Sequence, residues 1–310
     1  MKSCPAWIGA ALPLALTLAC GSAAAQDPAA TLASLAAQVK ALAADLKQAN
    51  ALAARQQQAL DALRVNNDAL VSKLGCVLHF SGPRDFIVDG CNLHVQNGMG
   101  QTGTMNRYGN LIIGYNRNEV STRTGSHNLI VGDLHEYTSY GGIVTGIENT
   151  LSGPNATILG GGQSHANFSS ATIIAADRGV ADGNVVLIGG QRNYGSADAH
   201  FSAVVGGIEN QVTGPSSVVV AGTLNIAAGG NSLVCGGSEN TAGGASDVAC
   251  GGSRNTSTGS RSVLVGGNQN AAGGANGIVT GGQHCDIGAV DNKWAAGLQI
   301  FPGGCSAFGN

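Results

Sequence analysis

Ser217-Val218-Val219-Val220-Ala221-Gly222-Thr223-Leu224-Asn225-Ile226-Ala227 is answered fifteen residues later by Ser232-Leu233-Val234-Cys235-Gly236-Gly237-Ser238-Glu239-Asn240-Thr241-Ala242. With Asn210 as an anchor, the same position recurs as Asn225, Asn240, Asn255, Asn270 and Cys285, every step being 15 residues. Gly207, Gly222, Gly237, Gly252, Gly267 and Gly282 stand three residues before the anchors, and Gly214, Gly229, Gly244, Gly259 and Gly274 follow four after most of them. Upstream the pattern continues less evenly through Asn193, Gly179, His165, Asn149, His135 and Asn118. A fixed short period of this kind is the mark of a solenoid, in which each unit buries its apolar face only against its neighbours. The expectation is an all-β solenoid of about twelve coils of ~15 residues over 118–285.

Each coil holds two short strands. The first ends at the glycine pair and is apolar throughout, as in Val218-Val219-Val220 and Val263-Leu264-Val265. Side chains alternate across a strand, so the outer and the middle residues face opposite ways. One face fills the coil, and the other would be a continuous apolar strip, which soluble monomers avoid. The expectation is that the middle residues Val204, Val219, Val234, Leu264 and Val279 meet another subunit. The second strand puts small residues inward at Val212, Ala227, Ala242, Ser257 and Ala272, with Gln211, Thr241 and Thr256 outward, as a solvent-facing wall would. Glycine supplies positive φ at the corners. Asn210, Asn225, Asn240, Asn255 and Asn270 read as turn residues tolerating the same geometry on the solvent side, with amides that can bond from coil to coil.

A different period precedes the solenoid. Leu32, Val39, Leu46, Ala53, Leu60, Asn67 and Leu74 alternate with Leu35, Leu42, Ala49, Gln56, Leu63 and Leu70 at heptad spacing, without an internal Pro or Gly. This predicts a coiled coil over 28–75, with Leu32, Leu35, Val39, Leu42, Leu46, Leu60, Leu63, Leu70 and Leu74 as its core and Gln56 and Asn67 as buried polar register markers. Heptads alone do not separate dimer from trimer. Residues 1–25 read as a Sec-type signal peptide: Lys2, an apolar run from Ile8 to Leu18, then Ala23-Ala24-Ala25. The expected locale is therefore secreted, periplasmic or cell-surface, with no transmembrane segment in the mature chain. Residues 76–117 are assigned to lead-in or cap strands and 286–310 to a C-terminal cap carrying Trp294, Leu298, Ile300 and Phe301.

Of 310 residues, 49 are Gly, while aromatics are 4% and charged residues 11%, too thin a set of large side chains for a compact two-domain enzyme. A net charge of -3 argues against nucleic acid as a partner. No Gly-x-Ser-x-Gly elbow, Walker loop or metalloprotease helix is present. Residues 201–310 carry eight charged side chains, little material for paired acid–base work. His135 and His165, two coils apart at ~10 Å, are too distant for one zinc ion. Asp198 and His200 sit in a two-residue expansion between Asn193 and Asn210 and read as a loop bulge. No catalytic residue, metal or cofactor is expected. Export permits disulfides: Cys76 with Cys91 at the coil-to-solenoid junction and Cys285 with Cys305 at the C-terminal cap. Cys235 and Cys250, one coil apart in the same inward column, are either a third disulfide or two buried thiols.

The coils Ser217-Val218-Val219-Val220-Ala221-Gly222 and Ser262-Val263-Leu264-Val265-Gly266-Gly267, each followed by Asn-x-Ala-x-Gly or its near equivalent, resemble the YadA-like head repeats of trimeric autotransporter adhesins. The resemblance covers residues 118–285, best in the later half. It implies a left-handed parallel β-roll, a homotrimer with its chains packed side by side, and a non-catalytic head that binds extracellular matrix or other surfaces. Gly109-Asn110-Leu111-Ile112-Ile113-Gly114-Tyr115-Asn116 is similar to the lead-in of secreted bacterial proteins with such repeats. The family order is head, neck, stalk and C-terminal β-barrel anchor. Here the coil precedes the head, and the expectation is that the anchor is lacking, since no segment offers ~10-residue alternating strands. The functional expectation is a secreted or cell-surface structural, adhesin-like protein. The alternative is an enzyme on a trimeric β-helix, of acyltransferase or polysaccharide-depolymerase type.

Overall fold

The structure, a computed structural model, describes residues 28–74, 87–88, 91–117, 122–297 and 306–308. The chain divides into two compact units, Met1–Leu93 and His94–Asn310.

The first unit contains one α-helix, Pro28–Leu74. Proline at its start loses nothing, since the first-turn N–H groups have no intrahelical partner. Its Ala-, Leu-, Gln- and Lys-rich interior favours helix throughout. The side chains of residues 28–72 are all exposed, the heptad residues included: Leu32 is 74% and Leu42 69% accessible. Among the described residues, no helix is long and apolar enough to cross a membrane.

The second unit is a parallel β-solenoid of about twelve turns. One sheet of fourteen strands runs from Leu111–Ile113 to Ser306–Phe308, and a second of ten runs from Glu136–Tyr137 to Ala271–Ala272. Pairing is parallel and in register, Val218 beside Leu233, Val248 and Val263 in succession. Single bridges from Ile147 to Gln283, one step per coil, form a third side. The direction changes at the C-terminal end, where Trp294–Ala296 pairs antiparallel with Ser306–Phe308. Trp294, assigned to the cap, lies there; Leu298, Ile300 and Phe301 lie outside the described residues.

The interior is the middle column of the first sheet set against the inward column of the second. Val204, Val219, Val234, Leu264 and Val279 have no accessible surface within the single chain. They face Val212, Ala227, Ala242, Ser257 and Ala272, equally buried. This corrects the expectation that those five residues form a subunit interface. In a three-residue strand the centre alone points inward, and the flanking two point outward. The apolar strip facing away from the core is the outer pair of each strand.

The corners also depart from the sequence reading. The anchor asparagines are inside, with Asn210, Asn225, Asn240 and Asn255 fully buried, not on the solvent side. Positive φ falls on the residue before each anchor: Glu209, Leu224, Glu239, Arg254, Gln269 and His284, at 55–58°. A non-glycine residue held there costs about 1 kcal/mol or more. A cross-coil bond offsets that cost, since the N–H of Glu239 donates to Thr223 O and that of Arg254 to Ser238 O, both at 2.9 Å. Gly237 (φ 85°) is required for a further reason. A Cβ there would collide with Asn240 Nδ2 and the carbonyl of Gly252, both part of the ladder below.

Candidate functional surface

The anchor column is a hydrogen-bonded ladder. Each Asn Oδ1 accepts the backbone N–H of the next anchor, Asn225 on Asn210, Asn240 on Asn225 and Asn255 on Asn240, all at 3.0 Å. Each Nδ2 donates to a carbonyl of its own coil and one of the next, as Asn240 does to Gly236 O (3.1 Å) and Gly252 O (3.2 Å). The expected coil-to-coil bonding is therefore side chain to backbone and not amide to amide. Cys285 closes the run, its N–H donating to Asn270 Oδ1. Upstream, Ser164 and not His165 holds the column, accepting Gly179 N–H and donating to Ala176 O. His165 pairs one position on, beside Thr150, in the outward column of the second sheet. Asn116 occupies the first rung, bonded to His135 N–H, whereas Asn118 lies outside the described residues.

A second buried polar column, unrecognised in the sequence, lies at the start of the first strand. Ser202, Ser217, Ser232, Asp247 and Ser262 are all buried. Ser202 Oγ accepts Ser217 N–H, and Asp247 Oδ1 accepts both the N–H and the hydroxyl of Ser262 at 2.9 Å. Its 15-residue spacing was a sufficient signal. These two columns bond the corners from coil to coil and offer nothing to solvent, with Ser232 Oγ and Asn116 Nδ2 the members left buried without a partner among the described residues.

The outward faces differ in kind. On the first sheet Leu159, Ile188, Val205, Val220 and Val265 are 37–47% exposed and share one register column, with the half-buried Ile174 between Leu159 and Ile188. Cys235 and Cys250 lie in this outward column, half-exposed and disulfide-bonded, with Cα atoms 4.3 Å apart. They are neither inward-facing nor free thiols. Cys91 and Cys285 are each disulfide-bonded as well, while the partners expected for them, Cys76 and Cys305, lie outside the described residues.

The left-handed corner carries charge in compensating pairs. Arg192 meets Glu209 at 2.6 Å and Arg254 meets Glu239 at 3.0 Å, while Arg178 reaches Gln163, which reaches Glu148. These are exposed pairs, each worth about 0–1 kcal/mol. Near the first coils Arg117 hydrogen-bonds Asp133, which holds that carboxyl below the usual carboxylate range. Burial raises the Tyr137 and Tyr194 phenols. Leu134, Glu136, Glu148, Thr150 and His165 line a shallow groove on the second sheet. Among the described residues, no group of three or more His, Cys, Asp or Glu is placed to hold a metal ion. Asp198 and His200 lie in an exposed turn, where the His200 N–H donates to Asp198 O and the ring packs on Phe168 at 5.4 Å between centroids.

Among the described residues of the solenoid unit, the most extended apolar surface is thus the outer wall of the first sheet. Its geometry suits contact with another surface of matching pitch, coils repeating every ~4.8 Å. No model of a known protein family matches the chain, and no curated protein matches it.

Proposed function

We propose that this is an exported, non-catalytic structural protein of adhesin type. Three solenoids of the left-handed, YadA-like kind pack side by side through the outer wall of the first sheet. The heptad face of Pro28–Leu74 sets the stoichiometry as a coiled coil. The remaining two walls are presented to an extracellular surface or matrix ligand.

The observation that carries this reading is the exposed column Ile188, Val205, Val220 and Val265 on the outer wall of the first sheet. Soluble monomers do not leave so long an apolar strip uncovered. The exposed heptad leucines supply a second face with the same need. Sedimentation of the chain without residues 1–25 tests the assembly: a mass of three chains is expected, and a stable monomer at micromolar concentration sinks it. Adhesion is tested apart, by retention of the trimer on immobilised matrix proteins and on bare glass. Binding to neither leaves a structural protein and removes the adhesin reading.

A further inference from the structure

One rung of the buried ladder is ionisable. His135 takes the place of an anchor asparagine and is fully buried in the chain. Its backbone N–H donates to Asn116 Oδ1 at 2.7 Å. Its ring meets Val131 O through Nε2 at 3.2 Å and the backbone N–H of Asn149 through Nδ1 at 3.3 Å. A carbonyl only accepts, so Nε2 carries the proton. A backbone N–H only donates, so Nδ1 must be bare. Both ring nitrogens are therefore bonded with the neutral ring alone, and a second proton would set the Nδ1–H against the Asn149 N–H.

No carboxylate is poised to receive that charge. Arg123, which bridges to Tyr137, donates from Nε to the carbonyl of His135 and adds a cation on this side. Asp133 on the preceding strand is engaged by Arg117. Glu136, next in the chain, accepts from Thr122, and Glu148, from the following coil, accepts from Gln163. Both line the outward groove with His165, on the face opposite the ladder. Tyr137, the remaining titratable neighbour, is buried on the interior side and lies in the uncharged range.

We propose that His135 is an acid-operated break point: its protonation severs the rung between Asn116 and Asn149 and loosens the coils from Leu111 to Tyr137, leaving the asparagine-laddered coils Val218–Thr280 closed. Burial pushes the imidazole pKa down and the Arg123 charge adds to this, against the backbone groups of Val131 and Gly146 that push it up. The sign follows. A depressed folded-state value gives stability that is whole above the ordinary imidazole value of ~6.5 and is lost as pH falls through it toward the folded value.

Hydrogen–deuterium exchange of the whole chain between pH 8 and 5, corrected for intrinsic rates, reads the effect. An opening that takes up one proton is favoured about tenfold for each pH unit below the ordinary value, until the folded value is reached. Peptides within 111–137 are expected to follow that slope in the wild type and to lose it in His135→Asn, with 218–280 flat in both. His127 is the rival imidazole, because its Nε2 accepts Asn97 N–H at 3.1 Å; His127→Asn is expected to keep the slope. An unchanged slope in His135→Asn, its loss in His127→Asn, or equal loosening over 218–280 overturns the proposal. Should His135→Asn fail to fold, exchange at the imidazole C2 position of the wild-type protein decides: a His135 midpoint well below ~6.5 supports the break point, and one at or above it overturns it.

Discussion

The carboxamide of Asn210 accepts the backbone N–H of Asn225 at 3.0 Å and donates to Gly206 O (3.3 Å) and Gly222 O (3.0 Å). One buried side chain thus ties the end of a strand, the corner after it and the next coil. Repeated at Asn225, Asn240, Asn255 and Asn270, it makes a continuous ladder whose removal at any rung leaves donors that water cannot reach.

Asn225→Ala therefore orphans the Asn240 N–H and frees the carbonyls of Ala221 and Gly237. A buried unsatisfied group costs about 1–3 kcal/mol, and with the bonds to the two carbonyls also lost the expected total is about 2–4 kcal/mol. Exchange of the Asn240 amide should accelerate together with a fall in the denaturation midpoint. Asn225→Asp should be no better, because a carboxylate keeps the acceptor but faces two carbonyl oxygens. An unchanged Asn240 amide in both variants would show that the ladder contributes no stability.

Val219 and Val220 are neighbours with opposite fates. Val219 has no accessible surface and Val220 is 42% exposed. Val219→Asp buries a charge in the coil interior, opposite Ala227, and should prevent folding or lower stability by more than 4 kcal/mol. Val220→Asp places the charge on the outer wall, where the single chain tolerates it. Its circular dichroism should stay that of the wild type, while the proposed side-by-side packing of the solenoids is lost and the denaturation midpoint of the assembly falls, the heptad helix still setting the mass. Loss of fold in Val220→Asp, or survival in Val219→Asp, would invert the assignment of faces.

The disulfide of Cys235 with Cys250 closes a 15-residue interval across adjacent coils, in a column otherwise held by Val220 and Val265. In the chain-entropy view a loop of this length contributes about 3 kcal/mol. Dithiothreitol should accordingly lower the melting temperature of the wild type. The double variant Cys235→Val, Cys250→Val should melt below the oxidised wild type but not below the reduced one, and show no response to the reductant at this pair. A reductant effect equal in both proteins would locate it at Cys91 or Cys285.

The period of 15, the two strands per coil and the helix over the heptads were all legible, because each rests on spacing that any side chain must obey. The inward column of the second strand was legible too in the later coils, where small residues recur at Ala227, Ala242, Ser257 and Ala272. What was not legible was which way the first strand faces. Val218, Val219 and Val220 are chemically alike, so hydropathy cannot choose between a two-out and a one-out arrangement; the closure of the coil chooses. The asparagines misled for a similar reason. Their residue type suits an exposed left-handed turn and an interior ladder equally, and the left-handed turn went instead to residues such as Glu239 and Arg254, which composition places anywhere on a surface. Ser164 and His165 differ by one register step, below what an uneven repeat resolves.

Asp247 is the one carboxylate of the serine column, with no accessible surface. Its Oδ1 accepts the N–H and hydroxyl of Ser262, and its Oδ2 accepts the Gly244 N–H at 2.8 Å. Three donors on one carboxylate satisfy what would otherwise be a buried charge without partners. Asp247→Ala leaves two backbone N–H groups unpaired and should cost about 2–4 kcal/mol. Asp247→Ser restores the residue of the neighbouring coils, where Ser202 Oγ accepts Ser217 N–H at 3.0 Å, and should lose less. Asp247→Asn can keep the bond to Ser262 only by turning its NH₂ toward the Gly244 N–H, donor against donor, and should fall between the two. The order Ser, Asn, Ala in denaturation midpoint is therefore the signature of a hydrogen-bonding role. If Ala were the mildest change, the carboxylate would instead be a burden that this coil carries for a reason outside its own stability.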